Sequence, residues 1–180
     1  MTRSPKITLI LGGAKSGKSS RAVSLARPAR DRVYFLATAE RSDRELAARI
    51  AAHRARRPRS WITIEESRRV PERLSSIPAG STVLLDCVTM WTARLLSDGM
   101  KPAEILAQAE RLPEIARRKR LRLIAVSNEV GSGVVPGTRL GRAYQDLLGQ
   151  VNARLAAAAD RVELMVAGLP VALKPARRRG

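Results

Sequence analysis

The chain has 180 residues, 44% of them hydrophobic and only 3% aromatic, and its 34 basic against 16 acidic side chains give a formal net charge of +18. That length is enough to bury a sizeable core in one domain. A lone cysteine excludes an internal disulfide, no run reaches the ~18 consecutive apolar residues of a membrane span, and the scarcity of aromatic rings removes the stacking platforms of a single-strand nucleic-acid binder.

The first residues lead straight into an apolar run, 7–11, that reads as a buried strand. Such a start lacks the length of a signal peptide, so a cytoplasmic location is expected. Apolar positions at helical spacing follow over 18–26. Further strand-like runs stand at 33–37, 61–64, 82–85, 121–127 and 161–167, and helical spacing recurs over 43–56, 102–118 and 141–159. Strands alternating with helices predict an α/β fold whose mainly parallel sheet is covered on both faces. Gly168-Leu169-Pro170 reads as a turn that returns 171–173 as a short antiparallel edge strand, and 77–81 and 131–138 read as loops. One domain over 1–173 is the expected organisation, followed by a basic tail over 174–180 without apolar pattern. Cys87, inside the apolar stretch 83–88, is expected to be a small buried side chain.

Gly12-Gly13-Ala14-Lys15-Ser16-Gly17-Lys18-Ser19 fits the pattern G-x-x-x-x-G-K-[ST] and stands where that pattern works, after a strand and before a helix. Glycines let backbone N–H groups turn inward around phosphates, and the helix start adds partial positive charge. Lys18 reaches the terminal phosphates, and the Ser19 hydroxyl suits Mg²⁺. Lys15 and Ser16 either add contacts or face solvent. Asp86 ends the run 82–85, where such folds present a carboxylate to the bridging Mg²⁺; the other reading is a cap for the helical segment beginning at Val88. Glu129 follows the run 121–127 and so emerges at the sheet edge where ligands of open α/β sheets collect. It is either a base for an attacking hydroxyl or an ordinary loop carboxylate.

His53 is the only histidine and precedes Arg54, Arg56 and Arg57. It is either a surface residue or a nucleophile that attacks phosphorus while guanidinium groups hold the phosphate oxygens. Nearby arginines lower its pKa and so favour the unprotonated, attacking form. One histidine and one cysteine are too few for the usual metal sites of that ligand type.

Four segments together carry a resemblance: the loop 11–19, Phe35-Leu36-Ala37-Thr38-Ala39, Arg49-Ile50-Ala51-Ala52-His53-Arg54-Ala55-Arg56-Arg57-Pro58, and Val126-Ser127-Asn128-Glu129-Val130-Gly131-Ser132-Gly133-Val134-Val135-Pro136. They resemble the bifunctional adenosylcobinamide kinase/adenosylcobinamide-phosphate guanylyltransferases of cobalamin biosynthesis, and the likeness runs from Ile7 to about Leu173. The resemblance implies a RecA-like P-loop NTPase fold with a mainly parallel three-layer core and an antiparallel edge strand, assembled as a cytoplasmic homotrimer. It implies Mg²⁺ as cofactor, ATP or GTP as phosphoryl donor to adenosylcobinamide, and GTP as donor of GMP to the resulting phosphate through a histidine–GMP intermediate.

Carried onto this chain, the guanylylated residue is His53. Ala37, Thr38 and Ala39 fall in the second nucleotide-contact segment, Arg54, Arg56, Arg57 and Pro58 in the third, and Glu65 after the third strand. Two positions depart from the family's usual residues: Asp86 stands where many members carry Glu, and Ala52 where they carry a second histidine. A phosphate-loop NTPase that binds nucleic acid is the competing class, motivated by the charge and the RecA-like core.

Overall fold

The computed structural model describes residues 6–29, 32–39 and 58–174. Its elements are β1 (Ile7–Gly12), α1 (Lys18–Ala26), β2 (Val33–Ala37), β3 (Ile62–Glu65), α2 (Val70–Ser76), β4 (Thr82–Asp86), α3 (Val88–Ser97), α4 (Pro102–Arg118), β5 (Arg122–Val126), α5 (Arg139–Ala158), β6 (Arg161–Val166) and β7 (Leu169–Lys174). They form one seven-stranded sheet of order β3-β2-β4-β5-β1-β6-β7, parallel at every pairing except β6 with β7. The helix expected over 43–56 lies outside the described residues, as do 175–180.

The strand runs are apolar throughout because both faces are covered, and successive residues divide between two cores. Leu9, Leu36, Leu85 and Leu123 point to the side packed by α2 to α5, while Ile10, Phe35, Leu84 and Ile124 point to the side packed by Ala22 and Ala26 of α1. A three-layer arrangement results. Local sequence starts the helices: Pro102 takes an opening position of α4, with Glu104 accepting from the Lys101 N–H at 3.1 Å, and Thr138 caps α5 by accepting from the Gly141 N–H at 3.0 Å.

Three details differ from the sequence reading. The turn into β7 is Ala167-Gly168, both at positive φ (48° and 84°), and Leu169-Pro170 already belongs to the strand. A two-residue hairpin demands that geometry, and an outer edge strand tolerates a residue without an N–H. Lys174, expected in the tail, ends β7 and donates from Nζ to the carbonyls of Ala156 and Ala157 at 3.1 and 2.9 Å. Helix α2 escaped the periodicity because it is only seven residues long, with just Val70, Pro71 and Leu74 buried.

Exposed arginines of the described residues stand at both ends of the sheet, with Arg68 and Arg69 following β3 on the side of the phosphate loop. Arg27, Arg32, Arg117, Arg118 and Arg120 are exposed around the edge where the parallel strands begin. Several follow or end helices there, where cations oppose the negative end of the helix dipole.

Among the described residues one acidic side chain is enclosed. Glu163 on β6 is 1% exposed and accepts from Arg21 Nε and Nη2 at 2.8 and 2.9 Å, with Arg161 pairing from the other side. The hydrogen bonds from Arg21 hold the carboxyl below its ordinary range, overcoming burial, with the charge of Arg161 adding to them. Its contribution is therefore complete above the unfolded value of about 4.5 and is lost as pH falls through the lower folded value. Glu163→Gln should destabilise the chain by about 2 kcal/mol at neutral pH, less than a fully enclosed pair because both arginines keep some solvent. In urea titrations the gap between wild type and variant should shrink as the pH is lowered below the unfolded value of about 4.5.

Candidate active site

The loop between β1 and α1 is shaped by backbone that few side chains allow. Gly12 and Gly17 have φ of 149° and 97°, and Lys15 is left-handed at 55°. A Cβ on Gly12 would lie 2.6 Å from both the Met165 carbonyl oxygen and Ser16 Oγ, so the loop passes too close to β6 for any other residue. Gly168, in the β6–β7 turn, donates its N–H to the Ser16 carbonyl at 3.1 Å. Gly17 stands at the N-cap of α1 and brings no side chain to occupy the first-turn N–H groups, which suits that helix end to a phosphate. Lys18 Nζ donates to the Gly13 carbonyl across the loop.

The register brings other predicted residues to the same edge. Ala37 pairs with Glu65 on one side and Asp86 on the other, Asp86 pairs with Val126, and Val126 pairs with Ile10. Glu65, Ala37, Asp86 and the start of the phosphate loop thus form one row across the ends of five strands. Thr38 and Ala39 follow directly from that row. Burial lowers the Lys18 pKa, while negative charge at Cys87 and Asp86 opposes the fall. Only Asp86 supplies that charge at neutral pH, because burial and the adjacent carboxylate push the Cys87 thiol up to about 11. Cys87 is thereby excluded as a nucleophile at neutral pH. Asp86 terminates β4, and the cap position of α3 belongs to Cys87.

Residues 127–132 continue from β5, between Asp86 and the phosphate loop. The Ser127 and Glu129 N–H groups donate to the carbonyls of Ile10 and Gly12 at 2.9 and 3.0 Å. Thr89 Oγ1 accepts from the Asn128 N–H at 2.6 Å, and Tyr144 Oη donates to the Thr89 carbonyl at 2.9 Å. From α5, Asn152 Nδ2 donates to the Asn128 carbonyl at 3.0 Å and Gln145 Nε2 to that of Val130 at 2.8 Å. The Glu129 carboxylate accepts from the Gly131 and Ser132 N–H groups and from Ser132 Oγ at 2.9, 3.2 and 2.9 Å. Partial burial works to raise its pKa, but these hydrogen bonds outweigh it and leave the carboxyl below the usual range.

Of the predicted site residues, 12–19, Ala37, Thr38, Ala39, Glu65 and Asp86 therefore share one sheet edge. Pro58 does not join them: it sits in the turn entering β3, with its carbonyl accepting from the Trp61 N–H, at the opposite end of that strand. His53, Arg54, Arg56 and Arg57 lie outside the described residues. The supports at Thr89, Tyr144, Gln145 and Asn152 escaped sequence reading, since partners such as Thr89 and Asn128 are 39 positions apart. Among the described residues no three His, Cys, Asp or Glu side chains cluster as a metal site.

A strand, a glycine-shaped loop, a helix and a carboxylate ending β4, two strands away in the sheet, define a phosphate-loop NTPase fold with a RecA-like core. In fold the chain is similar to the RadB recombinase crystal structure, with a TM-score of 0.52 at 20% identity over 89% of this chain and 74% of that one. The chain belongs to the cobinamide kinase / cobinamide phosphate guanyltransferase family, whose profile matches residues 8–173. It is 45% identical to the bifunctional adenosylcobalamin biosynthesis protein CobP of Pseudomonas aeruginosa, covering 92% of this chain and 96% of that protein. It is 38% identical to the bifunctional adenosylcobalamin biosynthesis protein CobU of Escherichia coli, covering 92% and 98%.

The hydrogen bonds at Glu129 favour a loop organiser over a base. Glu129→Gln, whose amide oxygen still accepts N–H bonds, should keep kcat/KM within about tenfold of wild type, whereas a general base would lose about 10²–10⁴-fold. Steady-state kinetics of the kinase reaction distinguish the two.

Proposed function

We propose that this chain performs two successive reactions, phosphorylating adenosylcobinamide with ATP or GTP and then converting the phosphate to adenosylcobinamide-GDP with GTP. The phosphate loop carries the first half of this reading: its backbone donors, Lys18 and the α1 N-terminus converge on one end of the sheet beside Asp86. The hydroxyl of the substrate's aminopropanol arm attacks the γ-phosphorus, its proton passes to water, the bond to the β–γ bridging oxygen breaks, and Lys18 and the loop N–H groups take up the charge that develops. Ser19 and Asp86 are hard oxygen donors that would hold Mg²⁺. Bound there, the ion would supply positive charge to the phosphates.

The second half rests on His53. Its neutral imidazole attacks the α-phosphorus of GTP, a P–N bond forms, and pyrophosphate leaves with the electrons of the broken P–O bond. A phosphate oxygen of adenosylcobinamide phosphate then displaces the imidazole and takes the GMP. Arg54, Arg56 and Arg57 offer charge for the phosphate oxygens, and Ala37, Ala39 and Glu65 complete the proposed nucleotide contacts, whereas Pro58 stands at the far end of β3. Reactions that draw on nucleoside triphosphates favour a cytoplasmic location.

GTP labelled at the α-phosphate should mark the protein through an acid-labile, base-stable bond, and His53→Ala should abolish the mark. Labelling that persists in this variant would refute the nucleophile assignment. Lys18→Ala should lower kinase kcat by about 10²–10³-fold, the loss typical of one removed charge stabiliser.

The proposed assembly is a homotrimer. In its favour, Leu169, Val171 and Leu173 stand exposed along β7, an edge strand whose outer side has no partner strand in the sheet. Light scattering should return a particle three times the 19.7 kDa chain. A monomer would end that part of the reading.

A further inference from the structure

We propose that Thr38 is a positioning residue, whose buried hydroxyl sets the backbone carrying Asp86 and so the approach of that carboxylate to a magnesium–nucleotide complex. It acts through Asp86 and does not itself touch the nucleotide.

Thr38 is only 2% exposed. Its N–H donates to the Asp86 carbonyl at 3.1 Å, one rung beyond the Ala37–Asp86 pair that ends the β2–β4 ladder. Its Oγ1 donates to the Cys87 carbonyl at 2.7 Å and accepts from the Cys87 N–H at 2.8 Å. One residue of β2's exit thus holds both peptide groups that follow the Asp86 Cα, at the step where the chain leaves β4 and enters α3. The single proton of the hydroxyl is spent on Cys87, and so is one of its lone pairs. What remains is a poor ligand and a good clasp. A turn of either peptide group would swing the Asp86 carboxylate, which lies near enough to Lys18 for their charges to interact.

Valine copies the shape of threonine and can neither donate nor accept, so Thr38→Val would release both Cys87 groups together. Thr38→Ser retains the clasp. The inference rests on reading Asp86 as the carboxylate that faces magnesium, and the test separates failure of that reading from failure of this one.

Binding of a fluorescent, non-hydrolysable GTP analogue to the full chain would be titrated with Mg²⁺ and with EDTA. The proteins are wild type, Thr38→Val, Thr38→Ser, Asp86→Asn and the Thr38→Val/Asp86→Asn double variant. Magnesium should tighten binding to wild type, and Asp86→Asn should lose that gain. Thr38→Val should lose about tenfold of the gain, as expected of a misplaced group, while its affinity in EDTA stays unchanged. Thr38→Ser should match wild type, and the double variant should bind no worse than Asp86→Asn alone.

If Asp86→Asn leaves the magnesium effect intact, the reading of Asp86 falls and the role of Thr38 falls with it. If Asp86→Asn behaves as expected but Thr38→Val changes nothing, the inference about Thr38 is overturned alone. Equal weakening of Thr38→Val in Mg²⁺ and EDTA would overturn it too, in favour of a direct nucleotide contact, as would a Thr38→Ser that fails like valine. Should Thr38→Val not fold, Thr38→Ala is read by the same criteria.

Discussion

The close approach of the phosphate loop to β6 is the constraint on which the rest of the site depends. At Gly12 the backbone leaves no room for a Cβ between the Met165 carbonyl and Ser16 Oγ, and at Gly17 a Cβ would come within 3.3 Å of the Gly168 Cα. The β6–β7 turn then ties down the loop through the Ser16 carbonyl. A loop held from outside in this way keeps its shape before any ligand arrives, and donors that need no reorganisation are worth most in phosphoryl transfer. Strand β6 serves a second time through Glu163, whose pairing with Arg21 anchors α1, the helix whose N-terminus closes the phosphate cradle.

The opposite side of the loop is held by hydroxyls. Thr38 grips the peptide groups after Asp86, and Thr89 accepts from the N–H of Asn128 while Tyr144 braces Thr89 from α5. Both threonines are buried, where a hydrogen bond lost leaves unpaired groups out of reach of water. Each joins segments remote in the chain to the sheet edge carrying the loop. Rigid strands below and polar clasps above place a carboxylate, an ammonium and a row of N–H groups on one small surface. That surface is what a nucleoside triphosphate requires.

Among the described residues exposed arginine is spread over both ends of the sheet. Some of it surrounds the C-terminal ends of α1 and α4, where it complements helix dipoles and keeps the surface hydrated. Among the described residues Lys18 is the cation beside Asp86, and the one enclosed carboxylate, Glu163, is paired twice. Net charge therefore says little about what this protein binds, whereas the placement of Lys18 beside Asp86 says a good deal.

By itself the sequence determined the phosphate loop, the alternation of strands and helices, the antiparallel edge and the family, because each leaves a local trace in spacing or motif. Gly12, Gly17, Lys18 and Asp86 could be named for that reason. Tertiary structure alone decided the strand order, the row joining Glu65, Ala37 and Asp86, and the partners of Thr38 and Glu129. It also decided that Pro58 stands at the far end of β3 and that the last turn falls at Ala167-Gly168. Hydrogen bonds between residues dozens of positions apart obey no periodicity along the chain. Their geometry exists only once the sheet has brought the two segments side by side.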